Sequence, residues 1–307
     1  MAAKHRSGTL HRKLAACWLA CIAIGAVPQF ARAWVVEDRI KVPVKVATTA
    51  GDAVGRDITV ALFHENSSPE PRPLLVLNHG RSYKPAERAR VSAKDLDSAA
   101  RWLTGFGFIV AVPVRVGYGV TGGADVEDSG ACRSKNYPPV YLASAVQTLA
   151  VLEALRKRPD AAKDRAVVMG QSFGGTTAIT VAALDPKGIQ GAINFAGGGG
   201  GNPELQPQNP CGQAALKNLF SGYGKTARIP TLWIYSENDQ YFGPKLPREW
   251  FAAFKASGGR GEYVPFPPFG DNGHQLFSRG PQVWQPKVQA FLGTLGYAPA
   301  GGAPGRK

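Results

Sequence analysis

Beyond residue 39, short blocks of β-branched and other apolar residues alternate with longer stretches whose apolar positions recur every three or four residues. A brief apolar run bounded by turn residues reads as a strand, and the longer spacing reads as an amphipathic helix. On this pattern strands are expected at 39–46, 58–63, 74–78, 108–112, 166–169, 189–195, 231–235 and 262–266. Helices are expected at 94–104, 140–156, 173–184, 248–256 and 282–295. Such alternation implies the α/β class, with a mainly parallel central sheet and helices on both faces. The first two strands follow each other without a helix, so they are expected to be antiparallel edge strands. The stretch "SSPEPRP" is the turn leading to the third.

Two segments break the rhythm. Residues 116–139 and 196–226 are rich in Gly, Pro and Asn, and both leave the carboxyl ends of expected strands. Open α/β sheets place their sites at that edge, so these long loops are candidate walls of a binding cleft. The glycine run at 197–201 reads either as part of such a wall or as an ordinary flexible connection. It lacks the Lys-Ser/Thr ending of a phosphate loop.

Residues 1–33 read as a secretion signal. Lys4, Arg6, Arg12 and Lys13 precede the uncharged stretch "LAACWLACIAIGAV", and Ala31-Arg32-Ala33 supplies small residues for cleavage. The apolar stretch is shorter than the roughly 20 residues of a spanning helix, although an uncleaved anchor is the competing reading. The folded domain is then expected at 34–297, with a flexible tail at 298–307. Of the formal net charge of +14, five positives leave with the leader, which contains no acid, so +9 remains. The remaining Lys and Arg are scattered and form no stripe with interleaved aromatics, which argues against a nucleic-acid partner. Loss of the leader also leaves Cys132 and Cys211 as the only thiols. An even pair in an oxidising compartment suggests one disulfide, the alternative being two separate buried thiols.

The chemistry concentrates at "VVMGQSFGGTT". A strand, then Gly170-Gln171-Ser172-Phe173-Gly174, then a helix is the context of a G-x-S-x-G nucleophile elbow, where a sharp turn leaves no room for side chains beside the serine. A serine hydroxyl needs a base to remove its proton, usually a histidine oriented by a carboxylate. Outside the leader there are three histidines. His64 ends an early strand, His79 sits in a separate glycine-containing turn, and His274 lies on the loop after the last strand. His274 is therefore the expected base. Asp239, after the strand "TLWIYS", is the chosen carboxylate, with Glu237 and Asp271 as competitors. The oxyanion donors are expected to be the backbone N–H of Phe173 and that of Arg81, with Ser82 the near alternative. The side chains of Arg81 and Tyr83 either line the cleft or face solvent. Tyr118, Tyr137, Phe195, Tyr241 and Phe242 either line it or pack in the core.

Taken together, "LNHGRS", "GQSFGG", "YSENDQYF" and "GDNGHQLF", spread over 36–297, resemble an α/β-hydrolase, and more narrowly the dienelactone hydrolase-related serine esterase branch. The resemblance implies the α/β-hydrolase fold and hydrolysis of a small-molecule carboxylic ester, with no metal and no organic cofactor. Similar serine enzymes include feruloyl-type and acetyl esterases, and others act as peptidases or acyltransferases. Dienelactone hydrolases proper carry a cysteine where this chain has Ser172, so the family's substrate does not carry over. A silent binding protein of hydrolase fold is the reading from another class. The expected location is periplasmic or secreted, without a stable membrane anchor after cleavage. N-terminal sequencing of the exported protein should begin at Trp34, and recovery of a chain still carrying residues 14–27 would reject the cleaved leader.

Overall fold

The computed structural model describes residues 1–2, 34–66, 68 and 70–299. The expected leader beyond its first two residues, and the tail beyond 299, lie outside the described residues. The strands are β1 (Val35–Ala47), β2 (Ala53–Glu65), β3 (Arg72–Asn78), β4 (Ile109–Val114), β5 (Ala161–Gln171), β6 (Ile189–Phe195), β7 (Thr231–Ser236) and β8 (Gly261–Phe266). They form one sheet in the order β1-β2-β4-β3-β5-β6-β7-β8. β2 runs antiparallel to both β1 and β4, and the pairs from β4 onward are parallel. Only β1 of the first two strands is therefore an edge. β2 is interior, because its alternating apolar residues pair with β4 as well as with β1.

Period-two alternation explains how the sheet is covered. Leu74 and Val76 of β3 and Val168 of β5 pack into one core, while Leu75, Leu77, Val167 and Met169 pack into the other. Side chains one residue apart point to opposite faces of a strand, and a fully apolar strand therefore needs a layer on each side. One layer holds α3 (Tyr137–Leu155), α4 (Phe173–Leu184), α5 (Gln213–Gly224) and α6 (Lys245–Ala256). The other holds α2 (Asp97–Thr104) and α8 (Pro281–Thr294), with Trp284, Val288 and Leu292 inward. α1 (Pro85–Arg88) and α7 (Leu276–Arg279) are single turns. Among the described residues α3 alone is long and apolar enough to cross a membrane, but its apolar residues are spent on the core against β1, β3 and α4.

Several boundaries differ from expectation for identifiable reasons. α3 begins at Tyr137, because Pro138 and Pro139 fall in its first turn, where no intrahelical N–H is required. The expected helix at 94–104 divides into a 3-10 turn, Ala93–Leu96, and α2. The expected loop 196–226 ends in α5, whose Leu216, Leu219 and Phe220 form an i, i+3, i+4 stripe facing the core. Glycines at 222 and 224 obscure that helix in the sequence.

Cys132 and Cys211 form a disulfide, with Cα atoms 5.0 Å apart across a separation of 79 residues. It joins the loop that follows β4 to the loop that follows β6. Closing so long a loop stabilises mainly by restricting the unfolded chain, typically by about 2–4 kcal/mol. The Cys132→Ser/Cys211→Ser double variant should therefore unfold at lower urea concentration than the oxidised protein. Equal midpoints, with or without reductant, would contradict this.

Candidate active site

Adjacent parallel strands set the site. β3 pairs with β5 so that Asn78 lies opposite Gly170, which brings the turn after β3 beside the turn after β5. Ser172 occupies the junction between β5 and α4 at φ 57° and ψ −124°, a backbone region that costs a non-glycine residue about 1–3 kcal/mol. Its neighbours leave no alternative to glycine. A Cβ on Gly170 would lie 2.2 Å from the Gly174 carbonyl oxygen, and one on Gly174 would lie 2.3 Å from that of Asn78. The strained serine is held by its own N–H, which donates to the Phe195 carbonyl at 2.8 Å, and by its carbonyl, which accepts from Gly175 at 2.8 Å.

His274 follows β8 in a short 3-10 turn, Gly273–Gln275, and Asp239 follows β7. The Nδ1 atom of His274 lies 2.8 Å from Oδ2 of Asp239. A carboxylate only accepts, so Nδ1 carries the proton and Nε2 is left to accept one. Asp239 is fully buried, and its Oδ1 accepts the N–H groups of Tyr241 at 2.7 Å and Phe242 at 3.2 Å. Tyr241 stacks on the imidazole at 4.1 Å between ring centroids, and Phe242 meets it edge-on at 5.5 Å. The competitors lie elsewhere. Glu237 pairs with Arg248 at 3.2 Å, and Asp271 is exposed. Ser172 and His274 line the same arm of the cleft, and among the described residues the serine hydroxyl has no hydrogen-bond partner.

Two asparagines that sequence reasoning passed over bind the Asp239 loop to the His274 loop. Asn272 Oδ1 accepts from the N–H of His274 at 3.0 Å and of Gln240 at 3.1 Å. Asn238 Oδ1 accepts from the N–H of Phe269 at 2.8 Å, and its Nδ2 donates to the Gly270 carbonyl at 2.8 Å. The signal available in the sequence was weak, because asparagine in a loop most often caps its own turn.

The turn after β3 presents the N–H of Arg81. Among the described residues neither this group nor the N–H of Phe173, at the first position of α4, has an acceptor. Free N–H groups at a helix start favour negative charge. The Arg81 guanidinium is turned aside into a bidentate pair with Asp125, at 2.5 and 2.9 Å. Beneath the turn lies a buried network absent from the sequence reading. Arg115 and Glu127 are both fully buried and joined at 2.5 Å, and Tyr118 donates to Glu127 at 2.6 Å. Arg115 also donates to the His79 carbonyl at 3.0 Å. The signal in the sequence that went unused was a charged residue directly after the apolar strand β4, with an acid twelve residues on.

His79 completes the support. Its Nδ1 lies 2.7 Å from the Gly80 carbonyl, and its Nε2 receives the Arg115 N–H at 3.3 Å. One nitrogen must donate and the other accept, so the ring is the neutral Nδ1–H tautomer. Burial, followed by the charge of Arg115, holds its pKa well below 6.5 and outweighs the Gly80 hydrogen bond. His64 instead pairs with Asp38 on β1, at 2.9 Å.

A serine on a strained strand-to-helix turn, at the carboxyl edge of a mainly parallel eight-stranded sheet, with an Asp-bonded histidine after the last strand, defines an α/β-hydrolase. Solved structures share the fold. An acetyl xylan esterase from Thermoanaerobacterium sp. aligns with a TM-score of 0.54 and 17% identity, over 86% of this chain and 88% of its own. An esterase from Pyrococcus furiosus aligns at 0.54 and 14%, over 83% and 91%. An acylaminoacyl peptidase from Pyrococcus horikoshii aligns at 0.56 and 14%, over 88% of this chain but 43% of its own. No curated protein matches the sequence. The chain belongs to the dienelactone hydrolase family, whose sequence model matches residues 89–251, a span that includes Ser172 and Asp239.

The His79 assignment has a pH consequence. The unfolded chain takes up a proton at an ordinary histidine pKa of about 6.5, whereas the folded ring does so only at lower pH. The His79 contribution to stability is therefore complete above about pH 6.5 and declines as the pH falls below it. Nitrogen-15 NMR should find the His79 ring neutral and Nδ1-protonated at pH 6, and a doubly protonated ring there would overturn the assignment.

Proposed function

We propose that this protein is a periplasmic or secreted serine hydrolase that cleaves carboxylic esters through an acyl-enzyme. The observation that carries the reading is the 2.8 Å bond from His274 Nδ1 to buried Asp239, with His274 and Ser172 lining one arm of the cleft. In this mechanism Ser172 Oγ attacks the ester carbonyl as its proton passes to His274 Nε2. Asp239 holds the ring in its tautomer and balances the imidazolium that forms. The N–H groups of Phe173 and Arg81 take the oxyanion, each donor contributing about 3–4 kcal/mol in comparable sites. His274 then returns the proton to the departing alcohol, and water repeats the sequence on the acyl-enzyme.

Membership of a hydrolase family supports the reaction class. The disulfide supports an oxidising compartment, since such bonds are scarce in reducing ones. In this reading the chemistry is carried by side chains and backbone amides of the chain.

Ser172→Ala should leave the circular dichroism spectrum unchanged and lower turnover of a p-nitrophenyl ester by a factor on the order of 10⁴ or more. A fluorophosphonate probe should label the parent protein on Ser172 and fail to label the variant. Retention of most ester cleavage by the variant would sink the assignment, and a parent protein that neither labels nor turns over would identify a silent scaffold.

A further inference from the structure

The chain neighbours of the nucleophile and the base are both glutamines: Gln171 precedes Ser172, and Gln275 follows His274. Both side chains are partly buried and line the arm of the cleft that holds Ser172 and His274, a space of about 390 Å³. Neither side-chain amide has a hydrogen-bond partner among the described residues. We propose that Gln171 and Gln275 are specificity-determining residues that select an ester whose alcohol is a neutral polyol, with hydroxyl groups close to the ester oxygen. The proposal rests on the hydrolase reading above and adds the chemistry of the alcohol.

The two amides reach the arm from different elements. Gln171 ends β5, and Gly80 makes room for its amide. A Cβ on Gly80 would lie 2.9 Å from Gln171 Oε1 and 3.2 Å from the Cβ of Ser172. The amide therefore lies against the turn that carries Arg81, beside the nucleophile. Gln275 closes the 3-10 turn that carries His274. Its N–H donates to the Asn272 carbonyl at 3.0 Å, and its carbonyl accepts from Ser278 Oγ at 3.3 Å. Backbone bonds hold this residue in place while its side chain stays free to meet a ligand.

The charges around the arm are already committed. The Arg81 guanidinium pairs with Asp125, Glu87 accepts from Ser82 Oγ and lies 3.5 Å from Lys84, and Asp95 accepts the Ser92 N–H at 2.9 Å. His79 is tied to Gly80 and Arg115, and His274 to Asp239. Leu96 and Phe277, 6% and 4% exposed, form only the floor. What faces the space is neutral amide, including Nδ2 of Asn272, whose Oδ1 is taken by two N–H groups.

An amide side chain both donates and accepts, and so does a hydroxyl. A carboxylate only accepts and an ammonium only donates, so either leaves part of the pair unmatched. An aliphatic chain matches neither end and strips water from both amides, which is how a polar site rejects an analogue lacking the hydroxyl. The alcohol departs toward His274 Nε2, so the groups flanking Ser172 and His274 are the ones it meets.

A set of acetate esters with one shared acyl group tests the proposal on the intact oxidised protein, each kcat/KM being taken relative to the hydroxide-catalysed rate of the same ester. Propyl acetate and 2,3-dihydroxypropyl acetate differ only in the hydroxyls, while acetylcholine and acetoxyacetate carry a cationic and an anionic alcohol. The dihydroxypropyl ester should exceed propyl acetate by about tenfold or more, and both charged esters should fall below it. Gln171→Leu and Gln275→Leu should each lower the dihydroxypropyl-to-propyl ratio by about fivefold, through KM for the hydroxylated ester. Fluorophosphonate labelling first confirms that each variant carries an intact nucleophile. If a variant fails to label, the ester set on the parent protein decides alone. A parent ratio near or below one, or a higher rate on either charged ester, overturns the polyol assignment while leaving the hydrolase standing. Leucine variants that keep the parent ratio overturn the role of the glutamines. Absence of both labelling and turnover in the parent rejects the hydrolase reading instead.

Discussion

The contact on which the site depends is the one between Gly174 and the carbonyls of Asn78 and His79. No side-chain carbon fits there, since a Cβ on Gly174 would stand 2.3 and 2.6 Å from those two oxygens. The first turn of α4 is thereby pressed onto the end of β3, which puts the elbow at Ser172 and the turn carrying Arg81 in one place. The same turn is gripped from its other side by Arg115, which donates to the His79 carbonyl at 3.0 Å. The pair formed by Arg115 and Glu127 is fully buried, so its attraction is largely offset by the cost of taking two charges out of water. Its contribution is therefore best understood as orientation. Removing either partner would leave the other charge buried and alone, a loss of about 3–5 kcal/mol.

A similar division of labour operates at the opposite rim. Asp239 and His274 come from loops after different strands, and Asn238 and Asn272 tie those loops together through backbone groups. The imidazole is held in its plane by Tyr241 above it and by the carboxylate at its edge. The disulfide supplies the third connection, joining the long loops after β4 and β6 that line the cleft beside Ser172. Each link crosses between segments far apart in the chain, so the geometry of the cleft is a property of the assembled sheet edge.

Much of the framework was legible from period alone. The β6 and α4 boundaries read from the sequence coincide with the structure, because turn residues bracket each segment: Gly170 and Ser172 before α4, Asp185-Pro186 after it, and Gly188 before β6. Where the reading slipped, the cause was local chemistry. Pro138 and Pro139 suggested a loop although they open α3, and the glycines near the end of α5 concealed its apolar stripe. Of the five aromatics left open between cleft and core, Tyr118, Tyr137, Phe195 and Phe242 are buried, Tyr137 and Phe242 reaching only the floor of the cleft, and Tyr241 alone is partly exposed beside it. Composition could not separate these groups, since a ring packs equally well in either place.

The sequence by itself determined the fold class, the order of its strands and helices, and the identities of Ser172, His274 and Asp239 as the residues to examine. It could do so because turn sterics and side-chain periodicity are local, and because base, acid and nucleophile types are few in this chain. The tertiary structure alone decided that the cysteines are bonded and that Arg81 turns its guanidinium to Asp125, while among the described residues its N–H finds no acceptor. It also showed the glycine run to be a wall held by tyrosine hydroxyls, and not a flexible connection. Those outcomes depend on distances between segments separated by tens of residues. Such distances are set by how the two layers close over the sheet, and no local pattern in the chain encodes them.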